Sequence, residues 1–185
     1  MLKIRQFKPS DREELRKICV ETTLFPKTKK VRQWLPIAYN DYYTERQSEF
    51  VFVLADEADR AAGYILCAPD ETEFRKTMAE EYLPQIKKIS LLAYLMLKNS
   101  LKKLDRFYGG YPAHLHIDIA EKYRHMGMGT KLMDYLFAKL REKNIKGVKL
   151  GCAAKNKKAV AFYTKYGFSV LEKQGGEIIF GKKAE

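Results

Sequence analysis

The sequence contains little cysteine, with three such residues among 185. Cys19, Cys67 and Cys152 are an odd number, lie far apart in the chain and have mostly apolar neighbours. This distribution argues against a disulfide framework and lacks the paired spacing of a cysteine metal site. We therefore predict three buried free thiols.

The sequence also lacks a long apolar run. The longest, residues 89–97, is interrupted by Ser90 and falls far short of the roughly 20 residues that span a bilayer. The N-terminal stretch MLKIRQFKPSDREE turns charged at once and has no apolar signal core. We therefore expect no membrane partner and a cytoplasmic location.

Acidic residues are outnumbered, 23 against 35 lysines and arginines, which leaves a formal net charge of +12. Such a balance favours anionic partners, but it does not distinguish nucleic acid, an acidic protein and a polyphosphate cofactor. No base-reading or stacking motif accompanies the charge, so we do not expect nucleic acid as the partner. The length and the 46% hydrophobic content suit one folded domain over residues 1–185.

Residues 114–130, HLHIDIAEKYRHMGMGT, carry the most specific pattern in the chain. Polar and apolar residues alternate from His114 to Ile119, which predicts a strand. Apolar residues recur at helical spacing from Leu132 onward, which predicts a helix over residues 130–143. A short loop with two glycines, Gly127 and Gly129, joins the two elements.

The start of this helix has the properties of an anion site. No Ser, Thr, Asp or Asn occupies residues 125–128, so no side chain is available to cap the first helical N–H groups. Free amides at the positive end of a helix dipole attract phosphate, and glycines let its oxygens approach the backbone. We predict a phosphate site here.

The rest of the chain predicts the element order β-α-α-β-β-α-β-α-β-α-β-β, an α/β layered domain with a mixed sheet. Within it, Pro84 is expected to begin one helix that continues to Leu104. Asn156 is expected to cap a short helix that ends at Gly167. Gly63, inside a predicted strand, marks a bulge or a close backbone approach.

Two groups of side chains in the first half of the chain leave alternatives open. One group of aromatic residues either lines a substrate cleft or simply packs in the core: Trp34, Tyr39, Tyr42 and Tyr43. One group of acidic residues offers a local acidic patch for a cationic substrate: Glu71, Glu73, Glu80 and Glu81.

Two motifs together resemble those of the GCN5-related N-acetyltransferase (GNAT) superfamily. The first is Arg124-x-x-Gly127-x-Gly129, which is similar to that family's Arg/Gln-x-x-Gly-x-Gly/Ala loop. The second, about thirty residues downstream, is NKKAVAFYTKYGF at residues 156–168. The segment YPAHLHIDIAEKYR is most similar to sequences of the branch that includes the acetyltransferase-like domain of some O-GlcNAc hydrolases.

Two other glycine-loop families do not fit. A dinucleotide fingerprint needs a third glycine and an acidic residue about 20 positions later. A P-loop needs Gly-Lys-Ser/Thr after four spacer residues, and GMGTK does not supply it.

The resemblance implies a GNAT-like single domain with a mixed, mostly antiparallel central sheet flanked by helices. It implies acetyl-CoA as cosubstrate, with the pyrophosphate held by the backbone amides of His125, Met126, Gly127, Met128, Gly129 and Thr130. It implies that the strand edge at Ile117, Asp118 and Ile119 pairs with the pantetheine arm. Arg124 and Asn156 are implied as further cofactor contacts.

The resemblance also implies the chemistry, transfer of an acetyl group to a primary amine by direct attack in a ternary complex. Tyr163 matches the family's general acid, and a phenol of pKa about 10 keeps the proton it has to donate at neutral pH. The resemblance also implies Tyr163 as a cofactor contact. His116 and Asp118 are candidate bases. The alternative is a catalytically silent domain that binds acyl-CoA as a sensor or interaction module. The amine acceptor is not identified, and the protein is expected to be a monomer or a homodimer.

The pattern His114-x-His116-x-Asp118 permits two other roles. These side chains share one strand face, where alternate residues lie about 6.6 Å apart, so they resemble part of a metal site. No further ligand cluster accompanies them, and the chemistry implied needs no metal, so we expect none. The remaining alternative is a polar strand face satisfied by local hydrogen bonds.

Overall fold

The computed structural model describes residues 2–104, 107 and 109–184. Within these residues seven strands form one sheet: β1 Lys3–Gln6, β2 Val51–Ala55, β3 Ala61–Ala68, β4 Ala113–Ile119, β5 Gly147–Ala153, β6 Ser169–Gln174 and β7 Glu177–Lys183. Their order in the sheet is β1-β2-β3-β4-β5-β7-β6. All neighbours are antiparallel except β4 and β5, which confirms the predicted mixed, mostly antiparallel sheet.

In the described part of the chain eight α-helices flank the sheet: α1 Arg12–Thr22, α2 Lys29–Pro36, α3 Tyr42–Arg46, α4 Glu71–Thr77, α5 Leu83–Ile89, α6 Leu91–Leu104, α7 Met128–Glu142 and α8 Lys157–Tyr166. Two π-helical turns, Ile37–Asp41 and Met78–Tyr82, join α2 to α3 and α4 to α5. A π turn widens the helix locally and often occurs near functional sites.

The two faces of the sheet pack against different helices. One core joins the sheet to α7 and α8 and contains Leu115, Leu132 and Phe180. The other joins it to the helices of the first half of the chain and contains Leu15 and Tyr64. The period-2 alternation of β4 therefore sends its apolar side chains towards α7 and α8, and its polar ones towards the α1–α6 layer.

The structure corrects the helix predicted from Pro84 to Leu104. Ser90 is extended, with φ −155° and ψ 109°, and separates α5 from α6. Its hydroxyl accepts a hydrogen bond from the amide of Ala93 at 3.3 Å, so Ser90 caps the second helix. The helix predicted over residues 130–143 begins two residues earlier, at Met128.

The predictions for the cysteines and for α8 are confirmed. Cys19, Cys67 and Cys152 are buried free thiols. Asn156 caps α8 by accepting the amide of Ala159 at 3.2 Å, and Gly167 ends that helix in the left-handed conformation. None of the helices in the described part of the chain is long and apolar enough to cross a membrane.

Both alternatives predicted for Gly63 are present. The β2–β3 register shifts next to it, because Leu54 pairs with Gly63 whereas Ala55 pairs with Ala61, and the backbone of β4 approaches it closely. A Cβ at this position would lie 2.9 Å from the carbonyl oxygen of Asp118 in the neighbouring strand. Glycine therefore allows β3 to follow β4 closely along the segment that borders the site.

Candidate active site

The two parallel strands, β4 and β5, pair over a short distance and then separate. Ala113 pairs with Val148 and His114 with Lys149, and the pairing ends there. Beyond this point residues 115–119 of β4 remain bonded to β3, and residues 150–153 of β5 to β7. We name the gap between these two segments the seam. Its facing backbone edges have no strand between them, so an amide-bearing chain can pair there as an added strand.

The loop after β4 lies at the carboxyl end of the seam, followed by the start of α7. Gly127 occupies the cap position of α7 with φ +72°, and no side chain caps this helix. His125 is also left-handed, at φ +64°. The side chain of Arg124 braces the turn, since its Nε donates to the carbonyl oxygen of Ile119 at 2.8 Å. The predicted uncapped helix start is thus present.

Glycine is required at the two loop positions for different structural reasons. A Cβ at Gly127 would meet nothing within 4 Å, so glycine serves the left-handed backbone and leaves the space above the loop open. A Cβ at Gly129 would lie 3.2 Å from the ring of Phe162. Gly129 therefore allows the first turn of α7 to pack closely on α8.

Helix α8 brings Tyr163 to the α7–α8 side of the sheet. Its ring packs on Phe168 and Phe180, with centroids 5.8 and 5.7 Å away. Burial raises the pKa of Tyr163 well above its ordinary value, and the nearby Cys152 and Asp118 act in the same direction. Its hydroxyl makes no hydrogen bond to the side chains and backbone that the structure describes, so its proton is available to a bound molecule.

Asp118 lies on the opposite face of β4 and is engaged within the protein. The hydroxyl of Tyr64 donates to its Oδ2 at 2.8 Å. Burial raises the pKa of Asp118 to about 6, against the opposing hydrogen bonds of Tyr64 and Thr22. Asp118 is therefore a carboxyl group that titrates close to neutral pH.

His116 is partly exposed and is held between aromatic rings. The rings of Tyr39 and Tyr43 meet its imidazole edge to face, with centroids 5.3 and 5.5 Å away. Burial, with a smaller contribution from His114, lowers the pKa of His116 to about 3. This imidazole is therefore neutral at physiological pH.

His114 belongs to a buried polar network at the point where β4 and β5 still pair. Its Nε2 lies 2.6 Å from the hydroxyl of Tyr43, and its Nδ1 lies 2.6 Å from Oε2 of Glu71. The ammonium group of Lys149 lies 3.5 Å from the same Glu71 oxygen and donates to the carbonyl oxygen of Tyr111 at 2.8 Å. Burial acts to raise the pKa of Glu71, but His114 and Lys149 outweigh it and lower the pKa.

This network corrects one prediction. Glu71 is fully buried, so it does not contribute to a surface acidic patch with Glu73, Glu80 and Glu81. Its place beside Lys149 was not predicted, although a lysine inside the apolar strand GVKLGCA is a signal that a buried partner exists.

A cavity of about 220 Å³ lies between the sheet and the α1–α6 layer. Both strands of the seam contribute to its floor, His114 and His116 from β4 and Leu150 and Gly151 from β5. The other lining residues are Ala38, Tyr39, Phe74, Met78, Leu97, Ser100, Leu101, Leu115 and Glu177. Of the four aromatic residues proposed for a cleft, Tyr39 lines this cavity, whereas Trp34, Tyr42 and Tyr43 are buried in the core.

The predicted site residues have different positions relative to the seam. Ile117 and Ile119 border it, and residues 125–130 follow its carboxyl end. Tyr163 lies near Cys152 of β5 and packs on Phe180, and Asn156 caps α8. His116 faces the cavity, and Asp118 is bonded to Tyr64. Across the described residues, no group of three or more His, Cys, Asp or Glu side chains is arranged to hold a metal ion.

Parallel strands that open towards an uncapped, glycine-containing helix start are the framework of the acetyltransferases with the GNAT fold. The sequence model of the acetyltransferase (GNAT) family matches residues 18–168. The chain belongs to this family.

Several solved structures are similar to this chain over nearly its whole length. SsHAT is 27% identical with a TM-score of 0.87, over 100% of this chain and 98% of that one. The PaiA N-acetyltransferase from Thermoplasma acidophilum, in complex with coenzyme A, is 16% identical with a TM-score of 0.63, over 99% of both chains. The ribosomal-protein-S18-alanine N-acetyltransferase from Escherichia coli is 15% identical with a TM-score of 0.60, over 100% of this chain and 95% of that one. The last two likenesses concern the fold alone.

Proposed function

We propose that this protein transfers the acetyl group of acetyl-CoA to a primary amine, by direct attack of the amine in a ternary complex. The observation that carries the proposal is the seam, which has an uncapped helix start at one end, the Tyr163 phenol on one side and a cavity on the other. This arrangement separates a site for a phosphate-bearing thioester from a site for a second substrate.

Coenzyme A fits the residues present. The backbone amides of residues 125–130 would hold the pyrophosphate, and the edge at residues 117–119 of β4 would pair with the amides of the pantetheine arm. Arg124 holds the loop in shape through its bond to Ile119. Lysines at the start of α8, Lys155, Lys157 and Lys158, are exposed and add positive charge beside Asn156. These lysines are not among the predicted site residues.

Tyr163 supplies the proton that the leaving thiolate needs. As the carbon–sulfur bond breaks, the phenol O–H proton moves to sulfur. The apolar surroundings that raise the pKa of Tyr163 also raise the pKa of a thiol there. Burial therefore shifts donor and acceptor in the same direction and does not oppose the proton transfer. The hydroxyl has no other partner in the described structure, which leaves it available for this role.

His116 is the better placed of the two candidate bases. It lines the cavity, and its low pKa keeps it neutral at physiological pH, so it can accept a hydrogen bond from an incoming amine. The amine nitrogen becomes far more acidic as its bond to the acetyl carbon forms, and a weak base then suffices to take its proton. Asp118 is bonded to Tyr64 and does not line the cavity, so we assign it an electrostatic role.

Two measurements on the purified protein test the proposal. Calorimetry should detect binding of acetyl-CoA, and a thiol-release assay with a panel of primary amines should detect turnover. Binding with no release for any amine would instead indicate a silent acyl-CoA-binding module. Absence of binding would contradict both functions.

A further inference from the structure

Part of the wall of the cavity beside the seam is apolar. Tyr39 and Leu101 form part of its wall, and Phe74, Met78 and Leu97, which also line it, are each at most 5% exposed. These side chains come from three separate segments, the first π turn, the α4 region and α6. Apolar walls favour an apolar body, because contact with them removes hydrocarbon surface from water.

The cavity borders the proposed site of acetyl transfer only at its floor. His116 and Gly151 lie there on the two strands that border the seam, where the proposed function places the thioester. A bound amine therefore has its nitrogen at the floor beside His116 and its body against the apolar wall. A water molecule takes about 30 Å³, so a cavity of about 220 Å³ has room for about seven groups of that size. An acceptor whose body is a short alkyl chain or one aromatic ring fits within this volume.

Charge limits the acceptor further. Among the lining residues in the described ranges, Glu177 is the one carboxylate. Glu177 lies beside Gly151, where a Cβ would be 2.7 Å from its Oε1, so this carboxylate is at the floor, close to the reacting nitrogen. A second ammonium group at the far end of the acceptor would lie against apolar side chains and lose its hydration there without a second carboxylate. A sugar body would likewise place several hydroxyls against the same wall.

We infer that the acceptor is a monoamine on a compact apolar body, either alkyl or arylalkyl, rather than a polyamine or an amino sugar. The inference rests on the proposed function and narrows it to one substrate class. It assigns Tyr39 and Leu101 as specificity-determining residues for that class.

A matched pair of acceptors tests the inference. Hexylamine and hexamethylenediamine share one six-carbon chain and differ by the second amine, and glucosamine serves as the polar comparison. In the thiol-release assay we expect kcat/KM for hexylamine to exceed that for the other two by about tenfold or more. Comparable or higher values for the diamine or glucosamine would overturn the inference while the proposed function stands. Failure of all amines would overturn both.

Variants on the two faces of α6 provide the second arm. Leu101→Glu places a carboxylate in the cavity wall at a partly buried position, whereas Leu92, which is 78% exposed, lies on the outer face of the same helix. Leu101→Glu should reduce the preference for hexylamine over the diamine by about tenfold, and Leu92→Glu should leave it unchanged. An unchanged preference in folded Leu101→Glu, checked by its thermal unfolding, would contradict the placement of the acceptor in this cavity.

Discussion

Nδ1 of His114 lies 2.6 Å from Oε2 of Glu71, and both side chains are closed off from solvent. Glu71 begins α4, and His114 lies in the last pair that joins β4 to β5. The contact therefore connects the helical layer to the point at which the two strands separate. Lys149, the strand partner of His114, contacts the same carboxylate from β5. We infer that this network holds the closed end of the seam in place.

The network predicts a strong effect of Lys149→Met. The substitution keeps the size of the side chain but leaves the Glu71 carboxylate in the core without its lysine partner. Removing one partner of a buried ion pair typically costs about 3–5 kcal/mol, and we expect a loss in the free energy of unfolding of that order. Urea denaturation at neutral pH measures it.

An exposed ion pair supplies the control for this substitution. Lys17 lies 3.0 Å from Glu14 on the surface of α1. Lys17→Met should change the free energy of unfolding by less than about 1 kcal/mol. A double variant, Glu71→Gln with Lys149→Met, should cost clearly less than the sum of its two single substitutions. Additive costs would show that the two side chains are not coupled.

The glycine loop could be predicted because its determinants are local. The alternation in β4, the absence of a capping residue and the positions of Gly127 and Gly129 are all visible within 17 residues of sequence. The same holds for Asn156 and Gly167, which cap and end α8 as predicted. Local backbone chemistry decides such features, and tertiary packing only places them.

The closed end of the seam could not be predicted in this way. Glu71 and Lys149 are far apart in sequence, and their contact depends on how α4 packs against the sheet. The length over which β4 and β5 pair depends on the same packing, as does the extended Ser90 between α5 and α6. The cavity wall also combines segments that are distant in sequence. Pairings of this kind are set by the tertiary structure and leave only weak signals, such as a lone lysine in an apolar strand.

Thr130→Glu separates phosphate binding from helix stability. Thr130 is exposed in the first turn of α7. A carboxylate there interacts well with the helix dipole, so the free energy of unfolding should rise by about 0.3–1 kcal/mol. The same charge repels the pyrophosphate, so calorimetry should show coenzyme A binding weakened about tenfold or more at low salt. Thr130→Gln is the neutral control. Unchanged affinity in the Glu variant would contradict a phosphate site at this helix start.

Tyr163→Phe tests the proposed general acid. The substitution removes one hydroxyl that has no hydrogen bond in the described structure, so stability and the dissociation constant for acetyl-CoA should change little. Loss of a general acid typically reduces turnover by about 10²–10⁴-fold, and kcat should fall within that range. Tyr166→Phe, on the same helix, removes a hydroxyl that donates to Asp134 at 2.8 Å and should leave kcat unchanged. Equal kcat in Tyr163→Phe and the unmodified protein would exclude the assignment.

Asp118→Asn tests the electrostatic state of the polar face of β4. Burial raises the pKa of Asp118 to about 6, from a value of about 3.9 in unfolded chains. The folded state therefore binds this proton more tightly than the unfolded state does. The stability that this proton contributes is complete below about pH 4 and is lost as the pH rises through about 6. Over that interval the loss is roughly 2–3 kcal/mol.

Asparagine at position 118 keeps the shape of the side chain and an oxygen that can accept from Tyr64, but it does not titrate. We therefore expect the free energy of unfolding of the variant, relative to that of the unmodified protein, to increase by about 2 kcal/mol between pH 4 and pH 7.5. Urea denaturation of both proteins measures this difference. A difference that stays constant with pH would mean that Asp118 is already ionised at pH 4. In that case a pH-dependent fall in kcat/KM below about pH 6 could not be assigned to this carboxyl group. If the difference does change as expected, and kcat/KM has no inflection near pH 6, then Asp118 is not the base and the cavity-facing His116 takes that role.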